Sequence, residues 1–145
     1  MTSDRSVSAT RAIAAPTPVI FNLLADPREH ARIDGSHSVQ GVKSGPDRLF
    51  LGATFAMNMK IGIPYLTRNV VVDFEENRSI AWHHFSQFVW RYDLAEIPGG
   101  TQVTESFTYD KPWAPFIIAL GYPEKNRRAM EASLERLEQL ATSSH

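Results

Sequence analysis

The sequence predicts an α+β domain in which an antiparallel sheet is covered by a long C-terminal helix. Three observations lead to this prediction. One strand-like segment precedes two short helical segments, six strand-like runs divided by turn residues occupy residues 36–110, and an amphipathic helical pattern closes the chain. The 145 residues, 43% of them hydrophobic, suit a single domain over residues 1–145.

The N-terminal part is expected to form one strand and two helices. Residues 5–14 are rich in Ser, Val, Thr and Ile with rough alternation, which favours a strand. Thr17 can then cap a helix whose first turn accommodates Pro18, and Pro27 disfavours helix in the residue before it. An apolar stripe at helical spacing lies between them, made of Ile20, Leu23 and Leu24. The segment PREHARID predicts a second short helix that ends before Gly35.

The middle of the chain predicts six consecutive strands. The runs are SHSVQGVK, GATFAMNMKI, PYLTRNVVVDFEE, SIAWHHFS, QFVWRYDLAEI and TQVTESFTYDK. Breaks such as GPD, GIP, ENR and PGG are short enough to be hairpin turns, so neighbouring strands are expected to be antiparallel. Apolar and polar residues alternate in the second run, where Phe55, Met57, Met59 and Ile61 are the apolar members. This alternation predicts a sheet with one covered face.

The C-terminal segment supplies that cover. Met130, Leu134, Leu137 and Ala141 fall at i, i+4, i+7 and i+11, as in a long amphipathic helix. Upstream, WAPFIIALGYP is apolar on every side and is interrupted by Gly121 and Pro123, so we expect the helix to start at Trp113 and to bend or restart near residue 122.

Composition excludes several functional classes. Formal net charge is −1 and the basic residues are dispersed, so nucleic acid is not an expected partner. The absence of cysteine excludes disulfides, thiolate nucleophiles and Cys-based metal centres. His30, His37 and His145 lack the spacing of a metal motif, and we expect neither metal nor cofactor. Without a signal-like or membrane-spanning apolar run, we expect a cytoplasmic protein with no stable membrane insertion, for which a homodimer is compatible with the sequence.

The order of these segments resembles the START-like, helix-grip superfamily (SRPBCC), in particular its polyketide cyclase/dehydrase and lipid-transport branch. The resemblance is carried by IAAPTPVIFNLLADPREHARIDG, SIAWHHF, WRYDL, PGGTQVTESF and the terminal helix, and it covers nearly the whole chain. It implies a strongly curved seven-stranded sheet wrapped around the C-terminal helix, with a cavity for hydrophobic ligands between them. The chain departs from the branch at ARIDGS, where members frequently carry a tryptophan.

Strand alternation predicts which side chains face that cavity. His83 and His84 are neighbours in a strand, so they cannot point to the same side. The inward sets on the last three strands are expected to be Ile80, Trp82 and His84, then Trp90, Tyr92 and Leu94, then Val103, Glu105, Phe107 and Tyr109. On the strand before them we expect Leu66, Arg68, Val70, Val72 and Phe74. His83 is then expected to face solvent.

The expected ligand wall is apolar and aromatic. Its members are Phe55, Met57, Met59, Trp82, Trp90, Tyr92, Phe107, Tyr109, Trp113, Phe116, Ile117 and Leu120. The polar candidates for catalysis are His84, Glu105 and Arg68. Arg68 and Glu105 form either a structural ion pair or a set in which Arg68 holds an anionic ligand group while Glu105 or His84 moves a proton.

These candidates leave three functions open. The first is binding of a hydrophobic small molecule, whether lipid, aromatic or polyketide-like, between the sheet and the helix. The second is catalysis of the polyketide cyclase or dehydratase type by the polar residues of the cavity. The third is a protein-interaction module that uses the exposed sheet or the apolar segment WAPFIIAL.

Overall fold

The computed structural model describes residues 6–35, 39–84, 88–108 and 122–143. The strands are β1 (Ser6–Ile13), β2 (Val39–Ser44), β3 (Thr54–Ile61), β4 (Ile63–Glu75), β5 (Ser79–His84), β6 (Phe88–Ile97) and β7 (Gly100–Thr108). The helices are α1 (Thr17–Leu24), α2 (His30–Ile33) and α3 (Tyr122–Thr142), with a 3-10 turn over Pro27–Glu29 directly before α2. The order of elements confirms the predicted α+β architecture.

The strands of the described chain form one curved, seven-stranded antiparallel sheet with the order β1-β7-β6-β5-β4-β3-β2. From β2 to β7 each strand pairs with the next one along the chain, as the short turns predict. β1 instead pairs with β7, where Ser6 lies opposite Thr108 and Ile13 lies opposite Thr101. The first and last strands of the chain are therefore neighbours, and the sheet has the helix-grip arrangement.

The helices of the described residues cover the inner face of the sheet. The helix α3 packs against β1 and β7 and also contacts α1 and α2. Its buried side chains include Met130, Leu134 and Leu137, which confirms the predicted apolar stripe. Within the described residues, no helix is both long enough and apolar enough to cross a bilayer.

The start of α1 differs from the sequence prediction. Thr17 is the first helical residue and is buried, while Pro16 occupies the cap position without a side-chain hydrogen bond. Pro18 lies within the first turn, as predicted, because a proline there loses no needed amide donor.

The inward set of β4 was predicted wrongly. The buried residues in the first part of this strand are Thr67, Asn69 and Val71. The outer face therefore carries exposed Arg68, exposed Leu66 and Val72, and half-buried Val70. The physical reason is a β-bulge between Val71 and Asp73, which inserts one residue and reverses the alternation. Phe74, beyond the bulge, does pack against the core as predicted. If strict alternation is counted back from Phe74 and the bulge is ignored, every residue before the bulge is assigned to the wrong face of the sheet.

A close contact joins the segment after α2 to α3. The backbone amide of Gly35 donates a hydrogen bond to Oγ of Ser133 at 2.8 Å. A Cβ atom at residue 35 would lie 2.6 Å from the carbonyl oxygen of Ala129 and 2.5 Å from Cβ of Ala132. Glycine is required here because the two backbones approach too closely for a side chain.

Candidate functional site

The inner faces of β5, β6 and β7 carry rows of side chains that run across the strands. One row contains Trp82, Trp90 and Phe107, and the next contains Ile80, Tyr92 and Glu105. Directly opposed residues in antiparallel strands point to the same face. Because Ile80, Tyr92 and Glu105 are buried, the described members of the predicted inward sets lie on the inner face of the sheet. Leu94 and Val103 form a further, fully apolar pair.

An aromatic cluster lies where β3, β5 and α2 meet. The His30 ring stacks on Trp82 with centroids 4.9 Å apart and an interplanar angle of 19°. Phe55 meets both rings edge-on, at 5.7 Å from His30 and 5.8 Å from Trp82. Met57 is buried and Met59 partly buried on the same face of β3. Phe55, Met57 and Met59 thus lie on the inner face beside His30, a neighbour that the sequence did not reveal, and their role as a ligand wall stays a prediction.

His30 is held in one orientation and one protonation state. Its Nε2 lies 2.9 Å from the carbonyl oxygen of Leu24, and since a carbonyl can only accept, Nε2 carries the proton. Burial lowers the pKa of His30, and the nearby carboxylates of Asp26 and Asp34 oppose this only in part. The ring is therefore neutral at neutral pH and acts as a flat apolar surface. The four-residue helix α2 is too short to show a periodic pattern, so no sequence signal pointed to this role.

Glu105 and Tyr92 form a buried polar pair on the inner face. They lie directly opposite each other on β7 and β6, with exposed fractions of 3% and 5%, and are hydrogen-bonded through their side chains. Burial raises the pKa of Glu105 well above its usual range, which favours the neutral form of the carboxyl. Burial, together with the neighbouring Glu105, likewise raises the pKa of Tyr92. Oε1 of Glu105 is enclosed and has no hydrogen-bond partner among the described residues.

A second carboxyl group acts on this pair. Asp34 follows α2 and accepts a hydrogen bond from the backbone amide of Val39 at 2.8 Å. Its negative charge contributes to the raised pKa values of both Glu105 and Tyr92. The charge of Asp34 thus adds to the effect of burial and favours the neutral form of Glu105.

Arg68 is not part of this site. It lies exposed opposite Ala56 on the outer face of the sheet, whereas Glu105 is buried on the inner face. The expected ion pair between Arg68 and Glu105 is therefore absent, and the partner of Glu105 is Tyr92. The reversal of alternation at the β4 bulge is the reason for this correction.

The paired histidines lie on β5 as expected. His83 is opposite Val70 and Val89, two residues of the outer face, but it is half-buried, not fully exposed to solvent, and its Nδ1 is enclosed without a hydrogen-bond partner in the described part of the chain. His84 pairs through its backbone with Asn69 and Phe88, and its side chain lies outside the described set. The predicted wall residues outside the described ranges are Tyr109, Trp113, Phe116, Ile117 and Leu120.

Two other features of the described residues bear on where a metal or a ligand could bind. The described residues contain no group of three or more His, Asp or Glu side chains that could hold a metal ion. A groove of about 480 Å³ lies between β1 and α3 and is lined by Thr10, Arg11, Glu131, Ala132, Leu134 and Glu135. Arg11 is engaged there by Glu138 at 2.7 Å. This groove is charged and has no aromatic lining, so it does not match the expected ligand wall.

Comparison of the sequence with known proteins gives consistent results. Residues 4–142 match the family described as polyketide cyclase / dehydrase and lipid transport. The chain is also 33% identical over 138 residues to the uncharacterized protein Rv0088 of Mycobacterium tuberculosis, a match that includes 90% of this chain. A second curated relative, MT0096 from another strain of that organism, matches to the same extent. The chain spans 62% of the length of these relatives.

Solved structures share the fold. Protein NE0264 from Nitrosomonas europaea superposes with a TM-score of 0.76 at 12% identity, covering 97% of this chain and 96% of that protein. An AHSA1-like protein from Aeromonas hydrophila gives a TM-score of 0.68 at 16% identity, covering 97% and 98%. At these identities the likeness establishes the helix-grip fold alone. The match over residues 4–142 shows that the chain belongs to the family described as polyketide cyclase / dehydrase and lipid transport.

Proposed function

We propose that this chain is a cytoplasmic protein that binds a hydrophobic small molecule, of lipid, aromatic or polyketide-like type, between the inner face of the sheet and α3. The observation that carries the proposal is a gradient of burial along the inner face. On β5, Ile80 is fully buried but Trp82 is only half-buried, and on β6 Leu94 is buried but Trp90 is half-buried. One end of the inner face is therefore packed core, while the other leaves large aromatic surfaces incompletely covered.

Incomplete burial of inward aromatic residues is unfavourable unless something else covers them. Trp82 and Trp90 lie opposite each other, and Trp90 contacts Phe107 with centroids 4.6 Å apart. Removing apolar surface from water is worth about 25 cal/mol per Å². A flat or extended apolar ligand over these rings would therefore gain binding energy. The family description, which includes lipid transport, supports the same function.

A hydrophobic fluorophore tests this proposal. Titrated into the native protein, it is expected to saturate at one site and to quench tryptophan emission. Trp90→Ala is expected to weaken dye affinity by about tenfold or more, since a buried aromatic contact of roughly 1.4 kcal/mol is lost. Arg91→Ala is the matched control because Arg91 is the next residue on β6 and pairs with Asp73 and Asp93 instead of the inward aromatic residues.

Two outcomes would count against the proposal. Absence of saturable dye binding to the folded protein would contradict the proposal. Equal losses of dye affinity in Trp90→Ala and Arg91→Ala would show that the dye binds elsewhere. Mass spectrometry of small molecules extracted from the natively purified protein then identifies the ligand.

A cyclase or dehydratase activity is the second candidate, and one observation favours it. Glu105 is a neutral buried acid hydrogen-bonded to a phenol, which suits it to protonate or polarise a ligand carbonyl. His84 stays a candidate partner for proton transfer. Turnover of poly-β-ketone substrates that is abolished in Glu105→Gln, while dye affinity is retained, would support this activity. Binding without turnover would favour the carrier function.

A further inference from the structure

We infer that the ligand presents an uncharged oxygen, a carbonyl or a hydroxyl group, to Glu105 and Tyr92, and that the site discriminates against carboxylate ligands. The inference rests on the proposed binding function and names the ligand class. The structural basis is the position of the pair, one row further in than Trp90 and Phe107 along the same strands. A ligand that lies on the row of Trp82, Trp90 and Phe107 therefore directs one end toward Glu105 and Tyr92.

The hydrogen bonds of the pair are incomplete. A neutral carboxyl and a phenol each bring one O–H donor, and the bond between them uses one donor. One donor and the acceptor capacity of Oε1 remain, and Oε1 is enclosed without a partner among the described residues. Buried polar groups are normally satisfied, because an unsatisfied group costs about 1–3 kcal/mol. A ligand carbonyl can accept the free proton, and a ligand hydroxyl can both accept it and donate to Oε1.

The surrounding charges oppose an anionic ligand. Asp34 is close enough to act electrostatically on both members of the pair. Two cations of the described chain are directed elsewhere, since Arg11 is bound by Glu138 and Arg68 is exposed on the outer face. A carboxylate brought to Glu105 would be desolvated near Asp34, and neither Arg11 nor Arg68 is placed to compensate its charge. The aromatic side chains thus accept many apolar molecules, while Glu105 and Tyr92 favour uncharged ligands over carboxylates.

Three naphthalenes of nearly equal shape test this inference. Acetylnaphthalene, ethylnaphthalene and naphthoate, substituted at the same ring carbon, differ in presenting a carbonyl, no polar atom or a carboxylate. Measured by displacement of the fluorophore at neutral pH, acetylnaphthalene is expected to bind about tenfold more tightly than either of the others. Glu105→Leu is expected to abolish its advantage over ethylnaphthalene, while Glu105→Gln, which keeps a donor and an acceptor, retains most of it. The exposed Glu96→Gln on β6 is the matched control and is expected to leave all three affinities unchanged.

The outcomes separate this inference from the proposed function. Naphthoate binding as tightly as acetylnaphthalene, or no preference of the wild-type protein for acetylnaphthalene over ethylnaphthalene, overturns the inference while leaving hydrophobic binding intact. Failure of all three compounds and of the dye to bind overturns the proposed function itself. The wild-type series decides the question even if Glu105→Leu does not fold.

Discussion

Glu105→Gln replaces a buried carboxyl by an amide of nearly the same shape, so it removes a titrating group while keeping the volume of the site. The pKa of Glu105 is raised in the folded protein, chiefly by burial and further by Asp34, while the hydrogen bond from Tyr92 opposes the shift. The native state therefore keeps a proton that the unfolded state releases near pH 4.3, the approximate value for a free glutamate. The stabilising contribution of this proton is complete below that pH and is lost as pH rises toward the folded pKa.

The magnitude of this effect follows from linkage. Where the native state binds one more proton than the unfolded state, the free energy of unfolding falls by about 1.4 kcal/mol per pH unit. The glutamine variant lacks this dependence. As pH rises from the unfolded pKa of about 4.3 toward the raised folded pKa, the stability of the variant relative to wild type is therefore expected to increase by up to about 1.4 kcal/mol per pH unit. If the amide alters the hydrogen bonding, the free energy of unfolding shifts by the same amount at every pH, so the change of this free energy with pH is unaffected.

Urea unfolding at a series of pH values measures the difference directly. The protein, Glu105→Gln and the exposed control Glu96→Gln are compared under the same conditions, and the control is expected to follow wild type. Parallel curves of stability against pH for wild type and Glu105→Gln would refute the reasoning, since they would mean that Glu105 titrates alike in the folded and unfolded states.

Three further predictions concern other positions. Arg68→Ala and Glu105→Gln are expected to have additive effects on the free energy of unfolding, within about 0.5 kcal/mol in a double-mutant cycle, because the residues lie on opposite faces of the sheet; a larger coupling would place them in contact. Gly35→Ala is expected to cost about 1–3 kcal/mol in urea unfolding because its Cβ would overlap α3, and an unchanged midpoint would show that the two segments can separate freely. His84→Ala is expected to weaken dye binding more than His83→Ala, and equal losses would contradict the alternation assigned to β5.

Much of the fold could be predicted because hydrophobic alternation and turn residues act locally. The register of β5, β6 and β7 followed from aromatic residues such as Trp90 and Tyr92, whose alternation is not interrupted. The register of β4 could not be predicted in this way. Before the bulge its outer face carries the apolar residues Leu66, Val70 and Val72, while Thr67 and Asn69 lie on its inner face, so the apolar alternation indicates the wrong face. The bulge between Val71 and Asp73 leaves no distinct sequence signal.

The site was predicted only in part for a related reason. Glu105 and Tyr92 were each found from their own strand, but their partnership depends on the register between strands. His30 was missed because its role comes from stacking on Trp82, a residue far away in the sequence. Contacts between distant segments depend on how the elements pack, which no local pattern specifies.

The pairing of β1 with β7 has a consequence for the order in which the protein can form. Ser6 must wait for Thr108 to be synthesised before it has a strand to join. At a translation rate of about 5–20 residues per second, this leaves β1 unpaired for on the order of ten seconds. Closure of the sheet is also a non-local step, which slows folding. The aromatic wall is therefore assembled only after most of the chain has left the ribosome, so a nascent chain that stops before α3 presents that wall to chaperones and to other nascent chains.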